Sequence, residues 1–328
     1  MIGSDIDLSL KSIWQSWFAF RKGKRATREL QMFQYNLERN LGELHAELND
    51  GAYRHGGYTH FTVCDNKRRQ IAVSGIRDRV VHRLIYDYLV PIYDKTFIYD
   101  AWSCRTGKGL LACIERTQKF LTAHPHSFVW RADIKKFFDS VDRETLLDIL
   151  AHRIHGQKAF RLVREVILSF PTTQRERERE YFKGMPIGNL TSQIFANIYL
   201  NELDRFVKHE LRIKNYLRYG DDFILVEPDL QKLTRFRDRT IQFLEEKLQL
   251  SLNSKNDKIV KALHGLKFLG KIIWPGNRRL NNRNLCRIQE RLSFRNISAY
   301  YGIAGKHGYY QFRKEFAWLT KGLIYPDQ

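Results

Sequence analysis

Cysteine is scarce: Cys64, Cys104, Cys113 and Cys286 are the only four in 328 residues, and they form no CxxC pair. That excludes a disulfide scaffold or a structural zinc site as the organising principle and fits a reducing compartment. No stretch approaches the roughly 20 apolar residues of a membrane span, and MIGSDIDLSLKSIW lacks the basic start and apolar run of a secretory signal. No basic amphipathic helix with a clean apolar face stands out either, so a cytoplasmic protein with no membrane partner is expected. Internal repeats and long Pro/Gly/Ser linkers are absent. Acid is in short supply: 36 Asp+Glu stand against 56 Lys+Arg, a formal net charge of 56 − 36 = +20.

What remains is a folded chain. With 43% hydrophobic residues, it has enough apolar surface for one large domain or a few packed subdomains, and too much for a disordered basic tail. A cationic surplus of this size calls for a polyanion, and nucleic acid fits because each neutralised phosphate releases counterions.

Leu30, Phe33, Leu37, Leu41, Leu44 and Leu48 recur at three- and four-residue spacings, which predicts one amphipathic helix over 24–50 within a basic helical extension, 1–50. YTHFTV and QIAVSG then predict two strands joined through DNKRR, a hairpin with a basic tip. SFVWRADI (127–134) predicts a buried strand ending in an acid, and DRETLLDILAHRI (142–154) a helix that Asp142 can cap. Residues 171–183 hold a run of alternating charge that suits a solvated loop. Further helices are expected over 191–211 and 230–248, a short strand near LSLN, and a strand pair around LKFLGKIIWPGNRRL. From Gly276 on, ten Lys+Arg and three Asp+Glu interleave with Tyr300, Tyr301, Tyr309, Tyr310, Phe312, Phe316 and Trp318. Such a mix suits stacking along a sugar-phosphate backbone, and equally a helical subdomain with its own aromatic core.

Chemistry concentrates in NYLRYGDDFILVEPD (215–229), two apolar strands around a Gly-Asp-Asp tip. Adjacent carboxylates resist joint ionisation, and a cation relieves that cost. Hard Mg²⁺ takes one or two carboxylates plus substrate phosphates, and a pair of such ions can clamp both oxygens of an in-line displacement. A third acid must come from elsewhere, and Asp133 stands where a buried strand emerges. Phe138 can pack under a nucleotide sugar, whereas its neighbour Phe137 can equally fill the core. Competing sites are weaker: His152 and His155 lack companion ligands, Gly107-Lys108-Gly109 is too short for a phosphate-binding P-loop, and no Ser-His-Asp arrangement is readable.

In that order, these motifs resemble a reverse transcriptase. Asp133 to Phe138 match D-x-x-x-x-F, and Tyr219 to Asp222 match Y-x-D-D. The resemblance implies catalytic acids at Asp133, Asp221 and Asp222, a metal site that also includes Ile134, and two Mg²⁺ ions for which Mn²⁺ can substitute. It makes Phe138 the gate against ribonucleotides, with Lys67 and Arg69 of KRRQI on the triphosphate and Gly188 and Gln193 at the incoming nucleotide. Template and primer contacts are implied for Pro186, Ser192, Tyr219, Gly220, Leu269, Gly270, Arg105 and Lys108. The implied fold is α+β, a right-hand polymerase with fingers, an antiparallel palm sheet backed by helices (fingers and palm interleaved over 51–275) and a short basic helical thumb (276–328). IGxxxSQ (Ile187 to Gln193), RDRVVHRLI and CRTGKG resemble the reverse transcriptases of diversity-generating retroelements, which copy template RNA with errors opposite adenine. Stand-alone antiviral-defence reverse transcriptases are the nearest alternative, and a non-catalytic RNA-binding scaffold is a further one. Template RNA, a cDNA or primer strand, dNTPs and a small basic accessory protein or structured non-coding RNA are the implied partners. Gly220 between Tyr and Asp, and Asn256-Asp257 where many relatives carry Lys-Thr, depart from the family pattern.

Overall fold

A computed structural model of the chain describes residues 5–64, 68–171, 182–307 and 310–324. Two compact units emerge, each built from segments distant in sequence: Met1–Tyr99 with Ile134–Glu210 and Thr240–Ser251, and Asp100–Asp133 with Leu211–Arg239 and Leu252–Gln328. Among the described residues no helix is long and apolar enough to cross a membrane.

The first unit opens with α1 (Leu10–Arg21), whose Ile13, Trp17 and Phe20 recur on one face and are buried. The single helix expected over 24–50 is two, α2 (Arg28–Tyr35) and α3 (Leu37–Asp50). Asn36, with φ −106° and ψ 34°, interrupts the leucine repeat, and the Asn40 amide takes up the Phe33 carbonyl at 2.9 Å. Gly51, at φ 74°, stops α3 in the left-handed conformation that glycine adopts without penalty. β1 (Tyr58–Cys64) and β2 (Arg68–Ser74) form the expected antiparallel hairpin. Then come α4 (Ile76–Tyr93), which packs on α1, and, after residue 134, the four-residue α6 (Phe137–Ser140), α7 (Arg143–Ala151), α8 (Gln157–Leu168) and α9 (Leu190–Arg205). Asp142 caps α7, accepting the Thr145 N–H at 2.8 Å. The alternating-charge run falls almost entirely on 172–181, outside the described residues.

At the centre of the second unit is a four-stranded antiparallel sheet in the order β4 (Tyr216–Tyr219), β5 (Asp222–Glu227), β3 (Phe128–Asp133), β6 (Lys258–Lys261). One face carries Val129, Leu217, Ile224 and Val226 into a core shared with Ile114 and Leu121 of α5 (Leu110–Ala123). Leu266, Phe268 and Ile273 of a small second sheet join that core; its strands are β7 (Leu266–Phe268), β8 (Lys271–Ile273) and β9 (Arg278–Leu280). The strand expected near LSLN is instead an isolated bridge at Leu252 followed by a turn, because the asparagines there bond to the end of β3. α10 (Leu230–Leu248) divides its residues between the units.

The last helices are α11 (Asn282–Arg291), α12 (Ile297–His307) and α13 (Tyr310–Ile324). Both readings of their aromatics hold: Phe312 and Phe316 are buried with Leu280 and Ile288, whereas Tyr301 and Trp318 are 70% and 77% exposed. Tyr309 and the Tyr310 side chain lie outside the described residues.

Lys271 of β8 is only 6% exposed, and burial pushes its amine down to about 8, with the like charge of Arg278 adding to the effect. The unfolded chain, with that amine near 10.5, binds more protons than the folded one between these two values. Stability is therefore expected to rise with pH across this interval, and Lys271→Met to flatten the rise. Urea midpoints at pH 7.5 and 9.5 for the two proteins test this; equal slopes would refute it.

Candidate active site

The carboxylates come together because of strand register. β3 and β5 pair so that Asp133 stands directly opposite Asp222, and Asp222 in turn pairs with Tyr219 across the hairpin. Opposite residues in an antiparallel pair project on the same face, with Cβ atoms roughly 5 Å apart. Gly220 and Asp221 form the two-residue tip, and Gly220 takes φ 64°, the pattern of a type II′ turn with glycine first. The fully buried Arg218 donates to the Gly220 carbonyl at 3.0 Å and so braces the tip from below. Asp221 is half-exposed there.

Each of the paired acids has neighbours that sequence spacing did not reveal. Arg131, two residues before Asp133, donates to Asp222 Oδ1 at 2.9 Å and to the Lys267 carbonyl at 2.6 Å, with its guanidinium over the Phe268 ring. Asp133, 8% exposed, accepts from Asn253 at 3.1 Å and Asn256 at 2.9 Å, and its own carbonyl takes the Asn253 N–H. The Asn256-Asp257 departure thus has work of its own. Asn256 orients Asp133, while Asp257 accepts from the Trp130 indole at 2.8 Å and from two nitrogens of Arg237. Those partners hold the Asp257 carboxyl below the usual carboxylate range, the Arg237 hydrogen bonds being the largest cause.

Among the described residues no three acid, histidine or cysteine side chains close into a preformed metal cage. The donor set nevertheless fits a hard dication: every side-chain ligand atom offered is a carboxylate oxygen, and like charges face each other across the strand pair. Arg131 supplies the counter-charge at Asp222 that a dication would supply in its place.

Two other expected contacts flank this hairpin within the second unit. Ala101 bridges to Arg218, and the Trp102 N–H donates to the Arg218 carbonyl, so the loop bearing Arg105 and Lys108 starts beside β4. The Lys108 amine lies 4.2 Å from the Trp102 ring centroid, and Arg105 donates to the Ala101 carbonyl. Leu269 and Gly270 turn β7 into β8 with φ 47° and 78°, the two positive angles of a type I′ turn. Leucine is uncommon in that conformation. A Cβ at Gly270 would also meet the Asn284 amide nitrogen at 2.5 Å and displace that side chain.

The remaining expected residues assemble in the first unit. Phe137 is buried against Tyr199, and Phe138 is half-buried beside it, which separates the core phenylalanine from the accessible one. The Phe138 carbonyl accepts the Met185 N–H at 2.8 Å, and the Ile187 carbonyl accepts the Ala72 N–H at 2.9 Å; the Pro186–Gly188 segment is thereby pinned between Phe138 and β2. Gly188, at φ 124°, sits so close to β2 that a Cβ would meet Ile71 Cγ2 at 2.8 Å. Asn189, which sequence reading passed over, is buried and accepts from both the backbone and the hydroxyl of Ser74 while donating to the Ala72 carbonyl. Pro186 and Ser192 are buried; Gln193 and Arg69 are exposed. Ile134 is buried, and Lys67 lies outside the described residues.

Comparison with known proteins matches this arrangement to a family. The profile for the reverse transcriptase (RNA-dependent DNA polymerase) family matches residues 59–273. Protein YkfC of Escherichia coli is 24% identical over 277 residues, 73% of this chain and 72% of its own length. The group II intron-encoded protein LtrA of Lactococcus lactis is 25% identical over 173 residues, 52% of this chain and 28% of its own. A 91 kDa protein in a Schizosaccharomyces pombe cob intron is 28% identical over 143 residues, 43% of this chain. The chain spans 17% of that protein's length, so it corresponds to a small part of the intron-encoded relatives. In fold, telomerase from Candida albicans superposes with a TM-score of 0.53 at 13% identity, covering 83% of this chain and 55% of the telomerase chain. The sicinivirus RNA-dependent RNA polymerase does so at 0.54 and 14%, covering 87% and 66%. The right-hand polymerase fold expected from the motifs is therefore the fold observed. With 215 of its 328 residues under the family profile, this chain belongs to the reverse transcriptase (RNA-dependent DNA polymerase) family.

Proposed function

We propose that the chain synthesises DNA on an RNA template, with Asp133, Asp221 and Asp222 as its catalytic acids. The observation that carries this is the cross-strand pairing of Asp133 with Asp222 beside a half-exposed Asp221 at the tip. These acids would hold two Mg²⁺ ions, or Mn²⁺ in their place, which would supply positive charge at the attacking hydroxyl and the triphosphate. The primer 3′-hydroxyl gives its proton to solvent water, its oxygen bonds to the α-phosphorus of the dNTP, and the bond from that phosphorus to the bridging oxygen of the β-phosphate breaks, releasing pyrophosphate. Asn253 and Asn256 hold the Asp133 carboxylate in one orientation. Arg69 and Lys67 neutralise the triphosphate, Gly188 and Gln193 adjoin the incoming nucleotide, and Pro186, Ser192, Tyr219, Gly220, Arg105, Lys108 and the Leu269-Gly270 turn guide template and primer.

Phe138 is the sugar gate in this reading. Replacing it with alanine should raise the ratio of rNTP to dNTP incorporation at least about tenfold, the scale of discrimination that a shape-selective pocket supplies. Primer extension on a defined RNA template with each nucleotide set reads the ratio directly, and an unchanged ratio would remove Phe138 from the role.

The finer assignment is error-prone copying in a diversity-generating retroelement, supported by the IGxxxSQ form of Ile187 to Gln193. A small basic accessory protein or structured RNA would then assist. Sequencing cDNA made from one defined template tests it: errors concentrated opposite adenine support this type, and uniform, rare errors exclude it.

A further inference from the structure

The first unit contains a cavity of about 320 Å³ that shares Gly188 and Gln193 with the nucleotide contacts proposed above but whose cations have no role there. Phe20, Lys22 and Lys24 of the extension line it, with Arg79 and Arg83 of α4 and Gln193 of α9. Four cations and no acid stand in the lining. The volume falls within the roughly 300–1,000 Å³ of ligand sites, and the charge is of one sign.

Local structure explains how the cations are held. Residues 21–25 read Arg-Lys-Gly-Lys-Arg. Gly23, at φ 73°, folds this segment back, so that Lys24 N–H donates to the Arg21 carbonyl at 3.2 Å and Arg21 donates to the Lys24 carbonyl at 2.7 Å. Lys24 then lies over the Phe20 ring, 4.8 Å from its centroid. Arg79 is steered by the Ser74 carbonyl at 2.7 Å and Arg83 by Asp87 at 2.7 Å, each through Nε. Among the described residues neither Lys22 nor Lys24 has an acid partner. Like charges gathered this way repel unless an anion joins them.

We propose that this cavity binds backbone phosphates of single-stranded RNA. Its lining also includes Gly188 and Asn189 of the pinned segment, which adjoins Pro186 and Ser192 assigned to the template, so a strand seated on Lys22 and Lys24 can continue towards them. Lys22 and Lys24 precede the family-matched region, which makes this contact an addition of the N-terminal extension. The choice of RNA as the strand rests on the polymerase reading; the anion site itself does not.

The test is a fluorescence-anisotropy titration of a 5′-labelled 20-nucleotide RNA with the full chain across a series of NaCl concentrations, without dNTP or divalent metal. Needing neither, it is independent of whether the protein polymerises. Lys22→Ala with Lys24→Ala should reduce the slope of log K against log [NaCl] by about 1.4, because single strands contribute about 0.7 per phosphate contact. At 0.1 M salt that is about a 25-fold loss of affinity. Replacing the exposed Lys158 and Lys247 together removes the same charge and should change affinity less than threefold. Ala19→Phe narrows the cavity with no change of charge and should also weaken RNA binding. Equal losses in the two double variants, or an unaltered slope with normal melting curves, would overturn the proposal. So would an effect confined to dNTP affinity, measured with dTTP alone, since that would make the cavity a triphosphate site.

Discussion

Asp221→Asn is expected to lower Mg²⁺-dependent dNTP incorporation on a primed RNA template by about 10³-fold or more. Charge stabilisation at a metal-assisted displacement is worth several kcal/mol, and each 1.36 kcal/mol is tenfold in rate. The side chain sits half-exposed at a hairpin tip, so the loss should come with little change in unfolding midpoint. Asp222→Asn should cause a comparable fall in rate but differ in stability, because it also takes the carboxylate from Arg131. That ion pair is partly exposed, which limits the stability cost to about 1 kcal/mol. Single-turnover extension with urea titrations separates the two effects. Retention of full activity by Asp221→Asn would refute the assignment of the acids.

The second large effect is structural. Trp130→Ala should destabilise the protein by about 3–5 kcal/mol, the range for truncating a large buried aromatic. Trp130 is fully buried, meets Phe223 edge-on at 5.4 Å between ring centroids and donates to Asp257. Truncation leaves a void on the sheet face beside Phe223 and removes one donor from Asp257, which keeps Arg237 as a partner. Trp130→Phe keeps most of the volume and should recover more than half the loss. Similar urea midpoints for parent and alanine variant would show that the sheet does not depend on this packing.

How much of this was legible beforehand depended on sequence distance. The β4–β5 hairpin, the strand ending at Asp133 and the Asp142 cap were readable because each signal lies within a few residues: alternation, a tight Gly-Asp tip, a polar residue before an apolar repeat. Asn253 and Asn256 were not, since they meet Asp133 from 120 and 123 residues away and a lone asparagine has no periodicity. Asn189 was hidden the same way, its partners at Ala72 and Ser74 lying 115 or more residues upstream. Local pattern also misled: leucines at helical spacing predicted one helix over 24–50, yet Asn36 breaks it and Asn40 satisfies the carbonyl left behind. Phe137 and Phe138 were indistinguishable by spacing, and only the packing on Tyr199 separated them.

Arg131 carries a thermodynamic consequence. One guanidinium holds the Asp222 carboxylate and the Lys267 carbonyl through different nitrogens, so the hairpin with the acids and the strand leading to the Leu269-Gly270 turn share a single side chain. If a ligand that draws Asp222 away from that guanidinium alters binding at β7, linkage requires the reverse effect to be equal in size. A coupling of that kind between the acids and the turn would run through Arg131, and Arg131→Gln is the substitution that should remove it.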